Sequence, residues 1–557
     1  MELRVPRAQP ADRRTDVRRP LAWALATALL TLVAGGCSTG DDPATATVSP
    51  PAAFVPPVPR LQRLLARQYT NAIGSLLGPA AALAAAPPDD IARNGFDVIG
   101  ASELSLGDSA ISAYESSARA VAAAAMSDAA NIDALVGCAP TGPDDAACHR
   151  KLAERLGHLA FRRPLEQEEI DTYAAVSLAA ATDLGDFHAG VEYAIATFLQ
   201  SPSFLYQVAL GVPRDDGLRE LTGPELLTRM SFFLLDTTPD EGQLLAAEAG
   251  ALDTADGVRA LASELLERPQ ARRAVANLYA EIFRVREVAS IAKDAEAYPT
   301  FSADVAASMA EETSRFFDDL IWESESDFRD LLTADYTFVN ADLAAIYGVA
   351  APPAGTWSRV TLPPGQGRSG LLGQASYLAL LSHAVATSPT LRGKFVREKL
   401  LCQSIDAPPK GVITTLPEAT ADLTMRERLK QHQADPTCSF CHARMDDIGL
   451  GLESYDAIGA YRTTDHGKPI DLSGNLAELG AFTGARELGT LLHDRPEVSA
   501  CMVRSALRGA LGHVETSGEE AAIATLVTSF EGSGHRVKAL LLAIVASDGF
   551  RLVGEVD

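Results

Sequence analysis

The chain has 557 residues, of which 47% are hydrophobic, 22% charged and 6% aromatic, and its formal net charge is −25. That length allows several domains with sizeable cores, and an alanine- and leucine-rich composition with few aromatics favours helices over β-sandwiches. So acidic a surface repels nucleic acid and anionic lipid, which excludes nucleic-acid partners and a basic membrane-binding face.

The N-terminus reads as an address rather than a fold. Arg13, Arg14, Arg18 and Arg19 form a basic region, and Leu21 to Ala34 form a short apolar stretch. Val33-Ala34-Gly35-Gly36-Cys37 then has the small residues that precede a lipidated cysteine. Residues 1–36 are therefore expected to be a lipoprotein signal peptide, with Cys37 as the lipidation site; an uncleaved membrane anchor is the alternative. Residues 37–57, rich in Pro, Ala, Thr and Asp, read as a flexible tether. The expected location is an outer-membrane lipoprotein facing the periplasm or the cell surface, with Ser38 consistent with outer-membrane sorting. Membrane contact is expected through the lipid alone, because no later segment is apolar for long enough to span a bilayer.

From residue 61 the apolar period is helical. Leu61, Leu64, Leu65, Ala72, Ile73, Leu76 and Leu77 mark one face of a helix ending near Gly78. Further helices are expected at Val191–Leu199, Leu226–Leu235, Val305–Ile321, Leu371–Leu381, Phe395–Leu401, Val498–Leu511, Ala521–Phe530 and Val537–Val545. Phe161-Arg162-Arg163-Pro164-Leu165 reads as a turn entering a helix at Pro164, its arginines structural. No run alternates as a strand would, and no fixed-period repeat is evident. The fold class expected is mainly α, a multi-domain helical protein. The expected divisions are helical domains at 58–135, 136–215 and 216–350, a module at 351–468 and a C-terminal helical domain at 469–557.

The chemistry-bearing segment is Cys438-Ser439-Phe440-Cys441-His442, a C-x-x-C-H motif. Two thiols so spaced add across the vinyl groups of a haem, and the adjacent histidine becomes the proximal iron ligand. One covalent haem c is the expected cofactor, with Cys438 and Cys441 binding it and His442 on the iron, which makes 351–468 a haem-bearing, cytochrome-c-like module. A thioredoxin-like redox pair would sit in a βαβ pattern, which is absent. A zinc site needs two further ligands, and no second Cys/His pair stands at suitable spacing. Removing Cys37, Cys438 and Cys441 leaves four of the seven cysteines, an even number in an oxidising compartment. Cys138 and Cys148 bracket a turn-rich loop and are expected to close locally. Cys402 and Cys501 are then left to pair with each other, or to remain as two buried thiols.

Several further segments carry a resemblance. They are Gln68-Tyr69-Thr70-Asn71, Phe161-Arg162-Arg163-Pro164-Leu165, Ser201-Pro202-Ser203-Phe204, Ser231-Phe232-Phe233-Leu234 with Thr238-Pro239-Asp240, and Leu331 to Asn340. Arg368-Ser369-Gly370, Ser388-Pro389 with Arg392-Gly393, Met445-Asp446, Tyr455-Asp456 and Arg462 complete the set. The chain resembles the secreted multi-domain proteins of unknown function from planctomycetes and myxobacteria that end in a cytochrome-c-like module. The resemblance covers nearly all of the mature chain and implies a helical, exported, haem-bearing protein; it supplies no reaction. His513 departs from the arginine usual at that place in relatives.

Around the motif, Arg462 is placed to pair with a haem propionate, the alternative being an ion pair with Asp456 or Glu453. Met445 reads as packing at the haem edge. His432 is the candidate sixth ligand, with His383, Met425, His466, His493, Met502 and His513 as alternatives. There is no G-x-S-x-G, H-E-x-x-H or Walker loop. Electron transfer is the leading expectation; a haem peroxidase or oxygenase, or a surface binding or scaffold protein with an ancillary haem, stand as alternatives. A redox partner protein or a small-molecule substrate is implied.

Overall fold

The computed structural model describes residues 54–406, 423–434, 436–477 and 479–555. The expectation for Cys37 lies outside them. Among the described residues the fold is mainly α, with strands of only two to four residues in small antiparallel ladders. No helix there is long and apolar enough to cross a membrane.

Local chemistry explains where the helices begin. Thr222 accepts from the Glu225 backbone while Glu225 caps back onto Thr222, and Pro224 lies in the first turn, so Gly223–Leu235 starts cleanly. Asp240 with Gln243 and Thr424 with Glu427 form the same reciprocal cap for Glu241–Glu248 and Met425–His432. The expected helices at Val191–Leu199, Val498–Leu511, Ala521–Phe530 and Val537–Val545 lie within Phe187–Gln200, Pro496–Leu511, Glu520–Gly532 and Val537–Ala546.

Three expectations are corrected. The first helix begins at Ala66, because Gln62–Arg63 is drawn into a strand against Tyr206–Gln207, and Arg63 is fixed by Asp90 and Tyr114. The stretch Leu371–Leu381 is broken: Leu371–Gly373 is a tight turn and Ala375–Leu380 the helix, because Arg368 takes the Gly373 carbonyl. Pro164 does not open a helix; the next one starts at Gln167, capped by Glu166 and Glu169. Arg162 instead ends Ala146–Phe161 in a left-handed conformation and is buried, donating to the carbonyls of Ala160, Ser203, Phe204 and Tyr206.

The cores cross the divisions expected from sequence. One apolar cluster joins Leu64–Leu77, Tyr114–Ala125 and Leu152–Leu205, so residues on both sides of 135 share it. The largest takes in Leu65, Phe96 and Ile99, then runs from Leu221 through Phe316 and Phe395 to Tyr455 and the C-terminal helices ending at Val553. The C-terminal helices therefore pack on the same core as the segment that carries the motif. This burial, at roughly 25 cal/mol per Å² of apolar surface, is what holds the motif-bearing part in place.

Candidate functional site

Pro436–Leu450 is a helix, and the C-x-x-C-H segment lies in its N-terminal half. Cys438, Cys441, His442, Met445 and Gly449 fall on one stripe by their three- and four-residue spacing. The far half of that stripe is buried against Pro389–Phe395. A Cβ at Gly393 would meet the Met445 carbonyl oxygen at 1.8 Å, and one at Gly449 would meet that of Pro389 at 1.9 Å. Only glycine allows the two backbones this close. The near half carries Cys438, Cys441 and His442, each partly exposed, beside Phe440 at 70% exposure.

Cys438 and Cys441 are free thiols, whereas Cys138 is bridged to Cys148 and Cys402 to Cys501. His442 Nδ1 lies 2.9 Å from Asp446 Oδ2, one helical turn on. The Asp446 side chain is fully buried. It also accepts from Thr390 Oγ1 at 2.7 Å and Gln433 Nε2 at 2.8 Å. The hydrogen bond to Asp446 holds the His442 pKa above the ordinary imidazole value, against a smaller opposing effect of burial.

His432 ends the Met425–His432 helix, and its ring stands edge-to-face on His442 with centroids 4.8 Å apart. As it stands it caps the ring of His442. The other candidate ligands are engaged or placed elsewhere. Met425 and Met502 are core residues, His383 and His466 are exposed, His493 pairs with Asp494 and His513 with Glu519.

The loop after the motif helix is held by three arginines. Arg392 is fully buried and donates to the carbonyls of Leu452, Tyr455 and Asp456 and to Glu453. Arg368, sandwiched between the rings of Tyr347 and Tyr455, donates to Gly459. Arg462 donates to Glu453 Oε2 at 2.8 Å, Asp465 Oδ1 at 3.1 Å and the Glu453 carbonyl. The arrangement present at Arg462 is thus the ion-pair alternative, with Asp465 as an added partner. Burial pushes the Glu453 carboxyl up even beside Arg392 and Arg462. Met445 is buried at the crossing with Pro389–Phe395.

This donor set fits a c-type haem. Two thiols lie one turn apart on an accessible surface, and a histidine whose Nδ1 donates to Asp446 keeps Nε2 as the lone-pair nitrogen. Among the described residues no three or more His, Cys, Asp or Glu side chains gather as a bare metal ion would require. The sequence alone assigns no role to Asp446, Gln433 or Thr390. The four-residue step from His442 to Asp446 was the available signal, and it carries meaning only once the segment is known to be helical.

The site thus belongs to a mainly α, multi-domain chain with a cytochrome-c-like part. The chain carries five domains described as proteins of unknown function. Residues 62–127 match DUF1587, 148–208 DUF1595, 221–349 DUF1592, 368–465 DUF1588 and 480–550 DUF1585. The motif lies in the fourth, whose family name is PSCyt3. No curated protein and no solved structure matches the chain.

Proposed function

We propose that the protein holds one haem c through Cys438 and Cys441, with His442 as proximal ligand, and serves in electron transfer. The observation that carries this is the pair of free, accessible thiols one turn apart beside a histidine fixed at Nδ1, in a chain whose other described cysteines are bridged. Each S–H adds across one vinyl C=C, sulfur to one carbon and hydrogen to the next, so attachment consumes no oxidant. The bound group supplies a one-electron couple at the surface of the protein. Cys37 is the proposed lipid anchor, which places the protein at the outer membrane facing the periplasm or the cell surface, with a redox protein or small substrate as its partner.

The test is holoprotein made with the cytochrome c maturation machinery. The denatured chain keeps its haem stain, and Cys438→Ser with Cys441→Ser abolishes it. Haem that extracts from the wild type into acidified organic solvent overturns the proposal. A second reading, a haem enzyme of peroxidase or oxygenase type, is favoured by one observation, the carboxylate on the proximal histidine, because electron density supplied from that side promotes O–O cleavage. A high-spin iron open to external ligands would select it over electron transfer.

A further inference from the structure

We infer that Asp446 is the positioning residue of the haem iron, orienting His442 and lowering the reduction potential of the couple; this rests on the haem-c reading above.

Three observations carry it. His442 and Asp446 sit one turn apart on a helix, so the Nδ1···Oδ2 contact of 2.9 Å is set by backbone geometry. The carboxylate is itself fixed from two other helices: Thr390 of Pro389–Phe395 donates to Oδ1, and Gln433, just past Met425–His432, donates to Oδ2. Finally, the Asp446 side chain is fully buried, and among the described residues no lysine or arginine pairs with it.

A carboxylate held in a low-dielectric interior with neutral donors and one imidazole N–H interacts strongly with that N–H. Its partner ring is fixed in one tautomer and orientation and becomes a more basic ligand through Nε2. A more basic axial ligand favours the ferric over the ferrous state, and hydrogen bonding behind the ligand is one of the protein's means of setting a haem potential. Neutral amide acceptors in the same place would exert a weaker pull. Gln433 shares Oδ2 with His442, so its amide weakens the interaction with the ring.

The experiment is redox titration of holoprotein variants whose covalent haem has first been confirmed on denaturing gels. Asp446→Asn keeps the shape but removes the charge. It should raise the midpoint potential by at least the equivalent of tenfold in the ferrous-to-ferric ratio, about 59 mV for one electron. The iron–histidine stretch of any five-coordinate ferrous form should move to lower frequency. Thr390→Val removes a donor from Oδ1 without touching the His442 contact, and should change the ratio less than twofold. Gln433→Leu removes the competing donor on Oδ2, and should lower the ratio threefold or more. An Asp446→Asn ferrous-to-ferric ratio within twofold of wild type at the same applied potential, or a shift matched by Thr390→Val, overturns the inference while leaving the haem-c reading intact. Should Asp446→Asn fail to accumulate, Gln433→Leu decides: a lowered potential supports the inference, and an unchanged or raised one overturns it. Wild-type protein that keeps no haem after denaturation overturns the functional reading and the inference with it.

Discussion

Arg392 and Glu453 form an ion pair at 3.2 Å with side chains 0% and 4% exposed. Glu453 also takes Thr387 and Arg462, so one carboxylate ties the segment before the motif helix to the loop after it. Removing one partner leaves an uncompensated buried charge, which costs roughly 3–5 kcal/mol. Glu453→Leu is therefore expected to lower the urea midpoint sharply. Glu115→Ala, which breaks the exposed pair with Arg119, should change stability by about 0.5 kcal/mol or less. Equal losses in the two variants would contradict the role given to Arg392 and Glu453.

The Cys402–Cys501 bridge closes 99 residues, whereas Cys138–Cys148 closes 10. Loop entropy makes the long closure worth about 2 kcal/mol more than the short one, and on the order of 4 kcal/mol in all. Cys402→Ser with Cys501→Ser should accordingly destabilise more than Cys138→Ser with Cys148→Ser, in unfolding curves recorded without reductant. Peptide maps of the unreduced wild type should contain both linked pairs; free thiols at 402 and 501 would contradict the first.

Some of this was legible in the sequence. Gly223–Leu235 announces itself through Thr222, Pro224 and Glu225 before any packing is considered. The strand at Gln62–Arg63 does not, because its partner Tyr206–Gln207 is remote in sequence and the apolar period around Leu61 and Leu64 fits a helix equally well. The break near Gly373 depends on the Arg368 side chain, again a tertiary effect. At the site, the thiols and His442 are readable from spacing alone. Asp446 is not, since its meaning depends on the helix that brings it under His442. For Arg462, proximity in sequence offers Glu453 as a partner, whereas Asp465 becomes one only through the turn that follows.

For the sixth iron position the expected ligand is His432. It is the one candidate whose ring the structure brings against His442. In wild-type holoprotein the spectrum should be low-spin, and His432→Ala should convert it to high-spin and admit carbon monoxide. An unchanged spectrum in His432→Ala, with a change in His383→Ala, would move the assignment to His383. A high-spin wild type would instead favour the enzyme reading.

Lipidation of Cys37 is tested independently of the haem. Cys37→Ala should leave the protein soluble after cell fractionation or retain the unprocessed N-terminus, while the haem stain persists. An unmodified residue 37 in the intact mass of the mature wild type would rule the anchor out.

Glu312 should impose a pH dependence on stability that is separate from the haem. Its side chain is fully buried, one oxygen accepts from Thr337 Oγ1 and Tyr347 Oη, and the other has no partner. Burial pushes its pKa up to about 7, against the pull of those hydroxyls and of Arg368. The folded state therefore binds this proton more tightly than the unfolded chain, whose glutamate titrates near 4.3. Stability from the protonated form is complete below that unfolded value and is lost as pH rises towards 7, after which the penalty is constant. Glu312→Gln cannot ionise and keeps an oxygen for Thr337 and Tyr347. It is expected to be more stable than wild type at pH 8, by roughly 3–4 kcal/mol, and to lose most of that advantage by pH 4.5. Unfolding midpoints of the two proteins across this range provide the measurement. A difference that does not vary with pH would mean that Glu312 stays ionised throughout, or that its proton is not what the buried site holds.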